Sequence, residues 1–213
     1  MNLAYGWAFP DADEFMKSEL HVDGTYQASH LRMAMPFVTD RSLAIDGGAH
    51  VGTWSKLMSA LFDRVIAVEP SDDTFECLTA NMAAFGCTNV EARHCALGAE
   101  AGTVTMKLEG RGLQLKNTGA RFAERGGTTP CEPIDAWQLP SLGFLKLDVE
   151  GSEVNALLGA RQTLKRCKPV VLFENKYLWK RYRIPRDAPQ DLLTSLGYVK
   201  KAKASCDDIW VPR

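Results

Sequence analysis

The chain has 213 residues, 46% of them hydrophobic and 24% charged, which is enough to bury the core of one domain and excludes an intrinsically disordered chain. Its formal net charge at pH 7 is -1, so its overall charge gives no reason to expect a nucleic-acid partner or an anionic membrane. Because no apolar run approaches the roughly 18 residues of a membrane-spanning helix, the sequence also predicts no membrane insertion.

An N-terminal helical extension is predicted over 1–41, ahead of a domain over 42–213. The extension contains one predicted helix that ends near Pro36, where the proline ring interrupts the helical hydrogen bonds. From residue 42 onward, predicted strands and helices alternate, which indicates an α/β fold with a mostly parallel sheet. Strands are predicted at 42–46, 64–70, 89–96, 102–110, 143–148 and 168–175, with a closing antiparallel pair at 198–205 and 208–212.

A basic segment rich in glycine, residues 111–130, separates two of the predicted strands. Long loops at the surface often carry functional residues. Two interpretations stay open at this point. The segment is either a loop that covers an active site or a surface insertion without a function.

The stretch AIDGGAHVG, residues 44–52, stands where the first predicted strand turns into a helix. In an open α/β sheet, ligands bind at the carboxyl ends of the strands, and glycines there let the backbone approach a ligand closely. Asp46, Gly48 and Gly52 form the pattern DxGxxxG, which differs from the dinucleotide motif GxGxxG. A carboxylate before the glycines repels a pyrophosphate and favours a cationic ligand.

Glu69 ends the second predicted strand, where its carboxylate is placed to accept hydrogen bonds from two ribose hydroxyls. An acidic residue ends each of the first two strands, and the glycines between them let the backbone approach a ligand closely. This arrangement fits the binding of S-adenosylmethionine. That molecule carries an ammonium, a sulfonium and a ribose, but no phosphate. The same features argue against an NAD-linked enzyme.

Six segments along the chain resemble, in order, the FkbM-type S-adenosylmethionine-dependent methyltransferases. They are AIDGGAHVGTWS, VIAVEPSDDTFECLTAN, NVEARHCALG, PIDAW, LGFLKLDVEGSEVNALLGARQTL and KPVVLFE. FLKLDVEGSE is the most specific piece, because a Lys-x-Asp-x-Glu-Gly-x-Glu run is rare by chance. The resemblance implies a Rossmann-like class I methyltransferase fold, with a seven-stranded, mostly parallel sheet, a reversed C-terminal strand and helices on both faces.

The resemblance also implies roles for residues of this chain. The cofactor S-adenosylmethionine would be held by Asp46, Gly48, Ala49, His50 and Gly52 at its methionine part, Glu69 at the ribose, Pro70, Ser71 and Ala96 at the adenine, and Asp148 at the methyl group. The segment TYQASHLRMA resembles one that closes over the cofactor in some relatives, which adds Tyr26 and Gln27. His50 stands where the family usually has asparagine, and Gly47 where it usually has an aliphatic residue. The histidine keeps the hydrogen bonding of asparagine but adds a titratable group.

Lys146, Asp148 and Glu150 are the candidate catalytic residues, because a hydroxyl that accepts a methyl group must lose its proton. In one interpretation, Asp148 or Glu150 is the general base and Lys146 holds a carboxylate in place. In the other, Asp148, Glu174 and Asn175 hold Mg²⁺ through oxygen ligands on neighbouring strand ends, as in catechol-type O-methyltransferases. The metal-free interpretation is favoured, and no metal ligand is predicted.

The resemblance implies O-methylation of a hydroxyl on a sugar, a glycan or another small molecule. The alternative is a non-catalytic S-adenosylmethionine-binding protein with a regulatory or assembly role, which the intact KLDVEG run argues against. Acceptor specificity is predicted for 110–130 and 176–186. In the second region, Tyr177, Trp179 and Tyr182 are candidates to stack on a sugar ring or, alternatively, to pack in the core.

Six cysteines are scattered along the chain without metal-binding or redox spacing. In a chain of this size they indicate reduced thiols. The N-terminal residues lack the basic and apolar regions of a signal peptide. A cytoplasmic location is therefore predicted.

Overall fold

A seven-stranded sheet forms the centre of the fold, which is given by a computed structural model that describes residues 1–20, 25–108 and 116–213. The strands are β1 (Asn2–Ala4), β2 (Trp7–Phe9), β3 (Leu43–Gly47), β4 (Arg64–Val68), β5 (Val90–Arg93), β6 (Ala96–Leu97), β7 (Gly102–Lys107), β8 (Phe122–Arg125), β9 (Thr129–Glu132), β10 (Phe144–Leu147), β11 (Val170–Glu174), β12 (Tyr198–Ala204) and β13 (Asp207–Pro212). The central sheet has the order β12-β13-β11-β10-β3-β4-β5, and β13 runs antiparallel to both neighbours. The predicted fold class, with its reversed C-terminal strand, is confirmed.

The central strands are apolar because helices cover both faces of the sheet. Residues 65–68 and 170–173 read VIAV and VVLF, and each of these side chains is at most 3% exposed. The parallel register places Asp46 beside Lys146 and Gly47 beside Leu147. The ends of β3 and β10 are therefore level, which brings their polar residues to one edge of the sheet.

Seven helices are present in the described part of the chain. They are α1 (Phe15–Glu19), α2 (Ala28–Ala34), α3 (Thr53–Ser59), α4 (Asp72–Ala84), α5 (Glu153–Gly159), α6 (Arg161–Cys167) and α7 (Ala188–Ser195), and 3-10 turns lie at Met35–Phe37, Thr118–Ala120, Ile134–Trp137 and Leu178–Tyr182. None of these helices is long and apolar enough to span a membrane. All six cysteines are free thiols.

A second sheet, of order β6-β9-β7-β8, corrects two predictions. The strand predicted over 89–96 is two strands, because β5 stays in the central sheet while β6 pairs with β9. The prediction of a loop over 111–130 is wrong at Phe122–Arg125, where β8 pairs with β7, and from Thr129, where β9 begins. Glycines of that segment form the turn between β8 and β9, at Gly126 and Gly127, whose φ angles are positive. Residues 111–115 of the predicted loop lie outside the described residues.

The N-terminal extension contains a β1–β2 hairpin in addition to α1 and α2. Trp7 and Phe9 of β2 are fully buried in one apolar cluster with Leu78 of α4. The side chain of Asn81 on α4 accepts a hydrogen bond from the Ala8 amide and donates one to the Ala8 carbonyl. These contacts hold β2 against α4.

Candidate functional site

A cleft opens at the carboxyl ends of β3, β4, β10 and β11, and α1 and the segment before α2 contribute to its walls. It holds about 1120 Å³ of empty space, a volume that includes the open solvent at its mouth. Of the residues singled out in the sequence, the cleft is lined by Tyr26, Gly48, Ala49, His50, Glu69, Pro70, Ser71, Ala96, Lys146, Asp148, Glu150 and Glu174. Within the described part of the chain, Gln27, Asp46 and Gly52 lie outside this lining.

The turn from β3 into α3 requires glycine at Gly48. Its φ is +74°, and a Cβ atom there would lie 1.8 Å from the carbonyl oxygen of Asp148. The amides of Gly48 and Ala49 donate to the carbonyl oxygen of Val68 at 3.0 and 2.9 Å. The turn therefore joins the ends of β3, β4 and β10, and its backbone lines the cleft.

Gly52 lies at the contact between α3 and α4. Its φ is +92°, and a Cβ atom there would lie 2.7 Å from both Leu78 Cδ1 and Met82 Cε. The structure therefore gives this glycine a packing role, and its contact with the cofactor stays a prediction.

Asp46 and Lys146 form a buried ion pair beneath the glycine turn. Lys146 Nζ lies 3.0 Å from Asp46 Oδ1 and donates to the Gly48 carbonyl at 2.9 Å. Ser55 donates to the other oxygen of Asp46 at 2.7 Å. Burial opposes the charge of Lys146, but the negative charges of Asp46 and Asp148 raise the pKa of its ammonium. Lys146 therefore balances the charge of Asp46 and supports the turn.

Lys146→Met is expected to lower the free energy of unfolding by about 3 kcal/mol, because removing one partner leaves a buried carboxylate without its counter-charge. Urea unfolding measures the change. Lys107→Met is the control, since Lys107 pairs with Glu124 where the two side chains are 48% and 55% exposed, and exposed pairs contribute about 1 kcal/mol or less. Equal losses in the two variants would contradict the structural role of the buried pair.

Glu69 lies just after β4 and is buried against the turn, with 6% of its surface exposed. Its Oε2 accepts a hydrogen bond from the His50 amide at 2.9 Å. Its Oε1 accepts from the Ser71 amide at 2.9 Å and from the Thr74 hydroxyl at 2.8 Å. These three donors hold the carboxylate in one orientation, and a carboxylate can accept about four hydrogen bonds in all. Glu69 therefore retains capacity to accept hydrogen bonds from a ligand.

His50 contacts two residues that sequence reasoning missed. Its Nε2 lies 2.7 Å from Thr118 Oγ1 and 3.1 Å from Asp13 Oδ2, and Thr118 Oγ1 lies 2.5 Å from the same Asp13 oxygen. Burial raises the pKa of Asp13, but hydrogen bonds from His50, Thr118 and the Met16 amide outweigh it and lower that pKa below its usual value. Asp13 and Thr118 stand in no local motif and are 105 positions apart, so only the folded chain brings them together.

Tyr26 reaches the cleft from the segment before α2. Burial and the negative charge of Asp148 raise its pKa to about 12. The Tyr26 hydroxyl accepts a hydrogen bond from Gln27 Nε2 at 3.0 Å, and Gln27 Oε1 accepts one from Trp54 Nε1 at 3.1 Å. Gln27 therefore supports Tyr26 from outside the cleft lining.

Three carboxyl groups converge at the ends of β10 and β11. One oxygen from each of Asp148, Glu150 and Glu174 lies within 4.8 Å of the others. Burial and then the negative charge of Asp148 raise the pKa of Glu150 to about 8 and that of Glu174 to about 9. Glu174 is 5% exposed, and its Oε2 has no hydrogen-bond partner among the described residues. The cluster can take up a proton or face a cation.

The structure brings together a different set from the sequence alternative of Asp148, Glu174 and Asn175. The Asn175 side chain donates to Asp208 Oδ2 at 2.8 Å, and Glu150 supplies the third group of the cluster. Lys176 is ion-paired with Glu174. Burial lowers the pKa of the Lys176 ammonium, but the pairing outweighs this and raises it. A protein cation therefore already contacts the cluster.

Glu153 begins α5, as its sequence position predicts, and stabilises the turn that carries Glu150. Its Oε1 accepts hydrogen bonds from the amides of Val149 and Gly151 at 3.2 and 3.1 Å. Burial raises the pKa of Glu153 to about 7. Because the φ of Glu150 is +50°, this turn needs such support.

Of the aromatic residues that were candidates to stack on a sugar or to pack in the core, Trp179 is fully buried and donates its Nε1 hydrogen to the Pro185 carbonyl at 2.9 Å. The stacking interpretation is therefore wrong for Trp179. Tyr182 donates its hydroxyl hydrogen to the Ala123 carbonyl at 2.6 Å. The segment reaches the cleft through Lys176.

Known proteins match this chain at the level of family and fold. The family model described as the methyltransferase FkbM domain matches residues 46–200. Methyltransferase 1 of Beauveria bassiana is 27% identical over 172 residues, which cover 68% of this chain and 66% of that protein. The crystal structure of methyltransferase FkbM from Methylobacillus flagellatus KT has a TM-score of 0.54 at 16% identity, with 81% of this chain and 43% of that chain covered. An O-methyltransferase from Bacillus cereus in complex with SAH has a TM-score of 0.50 at 11% identity, with coverages of 93% and 86%.

The match spans just under two thirds of the Beauveria protein and less than half of the Methylobacillus chain. At these identities, the two solved structures show a shared fold.

Proposed function

The chain belongs to the family of methyltransferase FkbM domains, and on that premise we propose that it is an S-adenosylmethionine-dependent methyltransferase that methylates a hydroxyl group of a sugar, a glycan or another small molecule. The observation that carries the proposal is the pair of acidic groups on opposite sides of the glycine turn. Glu69 stands at the end of β4, and the cluster around Asp148 stands at the ends of β10 and β11.

The cleft offers a complementary group for each part of the cofactor. Glu69 accepts a hydrogen bond from one ribose hydroxyl, and the backbone from Gly48 to His50 lies along the methionine part. Pro70, Ser71 and Ala96 flank the adenine. Asp148 faces the methyl end, where carboxylates suit the positive charges of the ammonium and the sulfonium.

Proton removal from the acceptor is assigned to Asp148. The bound cofactor supplies an electrophilic methyl group, and the protein aligns donor and acceptor, which can lower a barrier by about 7–11 kcal/mol. The negative charge of Asp148 raises the pKa values of Glu150 and Glu174. At pH 7 Glu150 is therefore largely protonated and Glu174 is paired with Lys176, so the hydroxyl proton is assigned to Asp148.

Methyl transfer is proposed to need no metal ion, so a chelator is expected to leave its rate unchanged. The three carboxyl groups are oxygen ligands of the kind that Mg²⁺ prefers, but Lys176 already pairs with Glu174. Methyl transfer is therefore expected to be unchanged in EDTA and not raised by added Mg²⁺. A loss in EDTA that Mg²⁺ restores would overturn this part of the proposal and would make Asp148, Glu150 and Glu174 the candidate ligands.

Two steps test the proposed function. Calorimetric titration is expected to show binding of S-adenosylmethionine and S-adenosylhomocysteine but not of NAD. A transfer assay with isotopically labelled methyl groups, on a panel of hydroxylated sugars and small molecules, then identifies the acceptor. Binding without transfer to any hydroxyl would favour a non-catalytic cofactor-binding protein, and no binding by the folded chain would contradict the cofactor assignment.

A further inference from the structure

The buried contact of Asp13, His50 and Thr118 has no part in the chemistry assigned so far. Asp13 and Thr118 are 0% and 2% exposed, and the side chain of His50 is 14% exposed. Asp13 belongs to the N-terminal extension, His50 to the turn after β3, and Thr118 to the 3-10 turn at Thr118–Ala120. A buried charge is costly unless its partners are held in place, so the contact constrains all three segments.

The distances determine where the hydrogens lie. The Thr118 hydroxyl has one hydrogen, and the ionised carboxylate of Asp13 accepts it across 2.5 Å. The 2.7 Å contact between His50 Nε2 and Thr118 Oγ1 then requires a hydrogen on Nε2. In the neutral imidazole, Nδ1 is left as a hydrogen-bond acceptor.

Nδ1 of His50 is buried and lacks a hydrogen-bond partner within the described ranges. An unpaired buried acceptor costs free energy, and a ligand donor would remove that cost. His50 lines the cleft, and its amide donates to Glu69, the residue proposed to hold the ribose. The donor expected beside His50 is therefore a ribose hydroxyl.

We propose that Asp13 and Thr118 are positioning residues of the cofactor site, which hold His50 with its hydrogen on Nε2 so that Nδ1 accepts a hydrogen bond from a ribose hydroxyl. The inference rests on the proposed function. It gives the N-terminal extension a part in cofactor binding, and it explains how a histidine can serve at a position where the family usually has asparagine.

The first test is the imidazole ¹⁵N chemical shifts of His50 in the protein without ligand, assigned by their loss in His50→Asn. The expected form is the Nε2–H tautomer. In the wild type, Asp13 Oδ1 accepts a hydrogen bond from the backbone amide of Met16 at 3.0 Å. In Asp13→Asn, the side-chain oxygen of asparagine is expected to keep this hydrogen bond. The new amide group then donates toward Nε2 and shifts the ring toward the Nδ1–H form. An Nδ1–H ring in the wild type, or no change in Asp13→Asn, would overturn the inference.

The second test is a double-mutant cycle on binding, measured by calorimetry with S-adenosylhomocysteine and with methylthioadenosine, which keeps the ribose but lacks the amino acid. Asp13→Asn is expected to weaken the binding of both ligands about tenfold, and to have no effect in the His50→Asn background. Asp11→Asn is the matched control, because Asp11 carries the same charge at the surface, where it pairs with the N-terminal ammonium.

The outcomes separate the two proposals. If Asp13 has only a structural role, Asp13→Asn weakens binding equally in the wild-type and His50→Asn backgrounds. Such additive losses, in a protein whose wild type binds both ligands, overturn the inference but leave the proposed function standing. A loss confined to S-adenosylhomocysteine would also overturn it, because the ribose is common to both ligands. If the wild type binds neither ligand, the proposed function fails and the inference fails with it. Thr118→Val keeps the side-chain shape without the hydroxyl and carries the same test if Asp13→Asn does not fold.

Discussion

Glu69→Ala is expected to weaken the binding of S-adenosylmethionine and S-adenosylhomocysteine by about ten- to a hundredfold. The carboxylate is held by the His50 and Ser71 amides and by Thr74, so it meets the ribose without reorganisation. A hydrogen bond to a charged group contributes about 1.5–3 kcal/mol, and one ribose hydroxyl loses its acceptor on Glu69. Because both ligands carry the ribose, both lose affinity alike. Calorimetric titration measures the two dissociation constants.

Glu91→Ala is the matched control for Glu69→Ala. Glu91 lies on β5 and pairs with Arg64 and Arg93, so the substitution removes the same side chain outside the cleft lining. Thermal melting shows whether each variant folds. An unchanged affinity in folded Glu69→Ala would remove Glu69 from the ribose site and, with it, the main support for the orientation of the cofactor.

Asp148→Asn is expected to reduce methyl transfer by about 10²–10⁴-fold, the range associated with a general base. Asparagine keeps the shape of the side chain but cannot take the hydroxyl proton. The fold is expected to survive, because Asp148 lies in the cleft lining rather than in the apolar core. Steady-state turnover on the identified acceptor, with melting as the test of folding, measures the change.

Glu150→Gln separates the base from its neighbour. Its pKa of about 8 keeps Glu150 mostly protonated at pH 7, and glutamine resembles that neutral form. Turnover at pH 7 is therefore expected to fall much less in Glu150→Gln than in Asp148→Asn. The reverse order would transfer the role of the base to Glu150, and near-normal turnover in both variants would remove this cluster from the proton transfer.

The polar residues at the strand ends show which features of the site sequence patterns can predict. The apolar runs predicted where β3, β4, β10 and β11 end, and the structure places Glu69 and Asp148 at the cleft as expected. Asp46 shows the limit. Its place before the glycines indicated a ligand contact, but the parallel register of β3 with β10 puts Lys146 beside it and uses its charge inside the protein.

The second sheet shows a different limit. A segment rich in glycine and basic residues has the composition of a loop, and it was predicted as one over 111–130. Gly126 and Gly127 instead form a turn between two strands, and β8 gains its hydrogen bonds from β7. Strand formation here depends on a partner strand, which local composition does not reveal.

By itself, the sequence determined the class of fold, the main strands of the central sheet and the residues at their carboxyl ends, because those features depend on periodicity and on neighbours in the chain. Only the tertiary structure decided which polar groups meet. Glu150 joins Asp148 and Glu174, and Asp13 meets Thr118 across 105 positions. The physical reason is that hydrogen bonds and ion pairs act over a few ångströms, so their partners are determined by strand register and packing rather than by spacing along the chain.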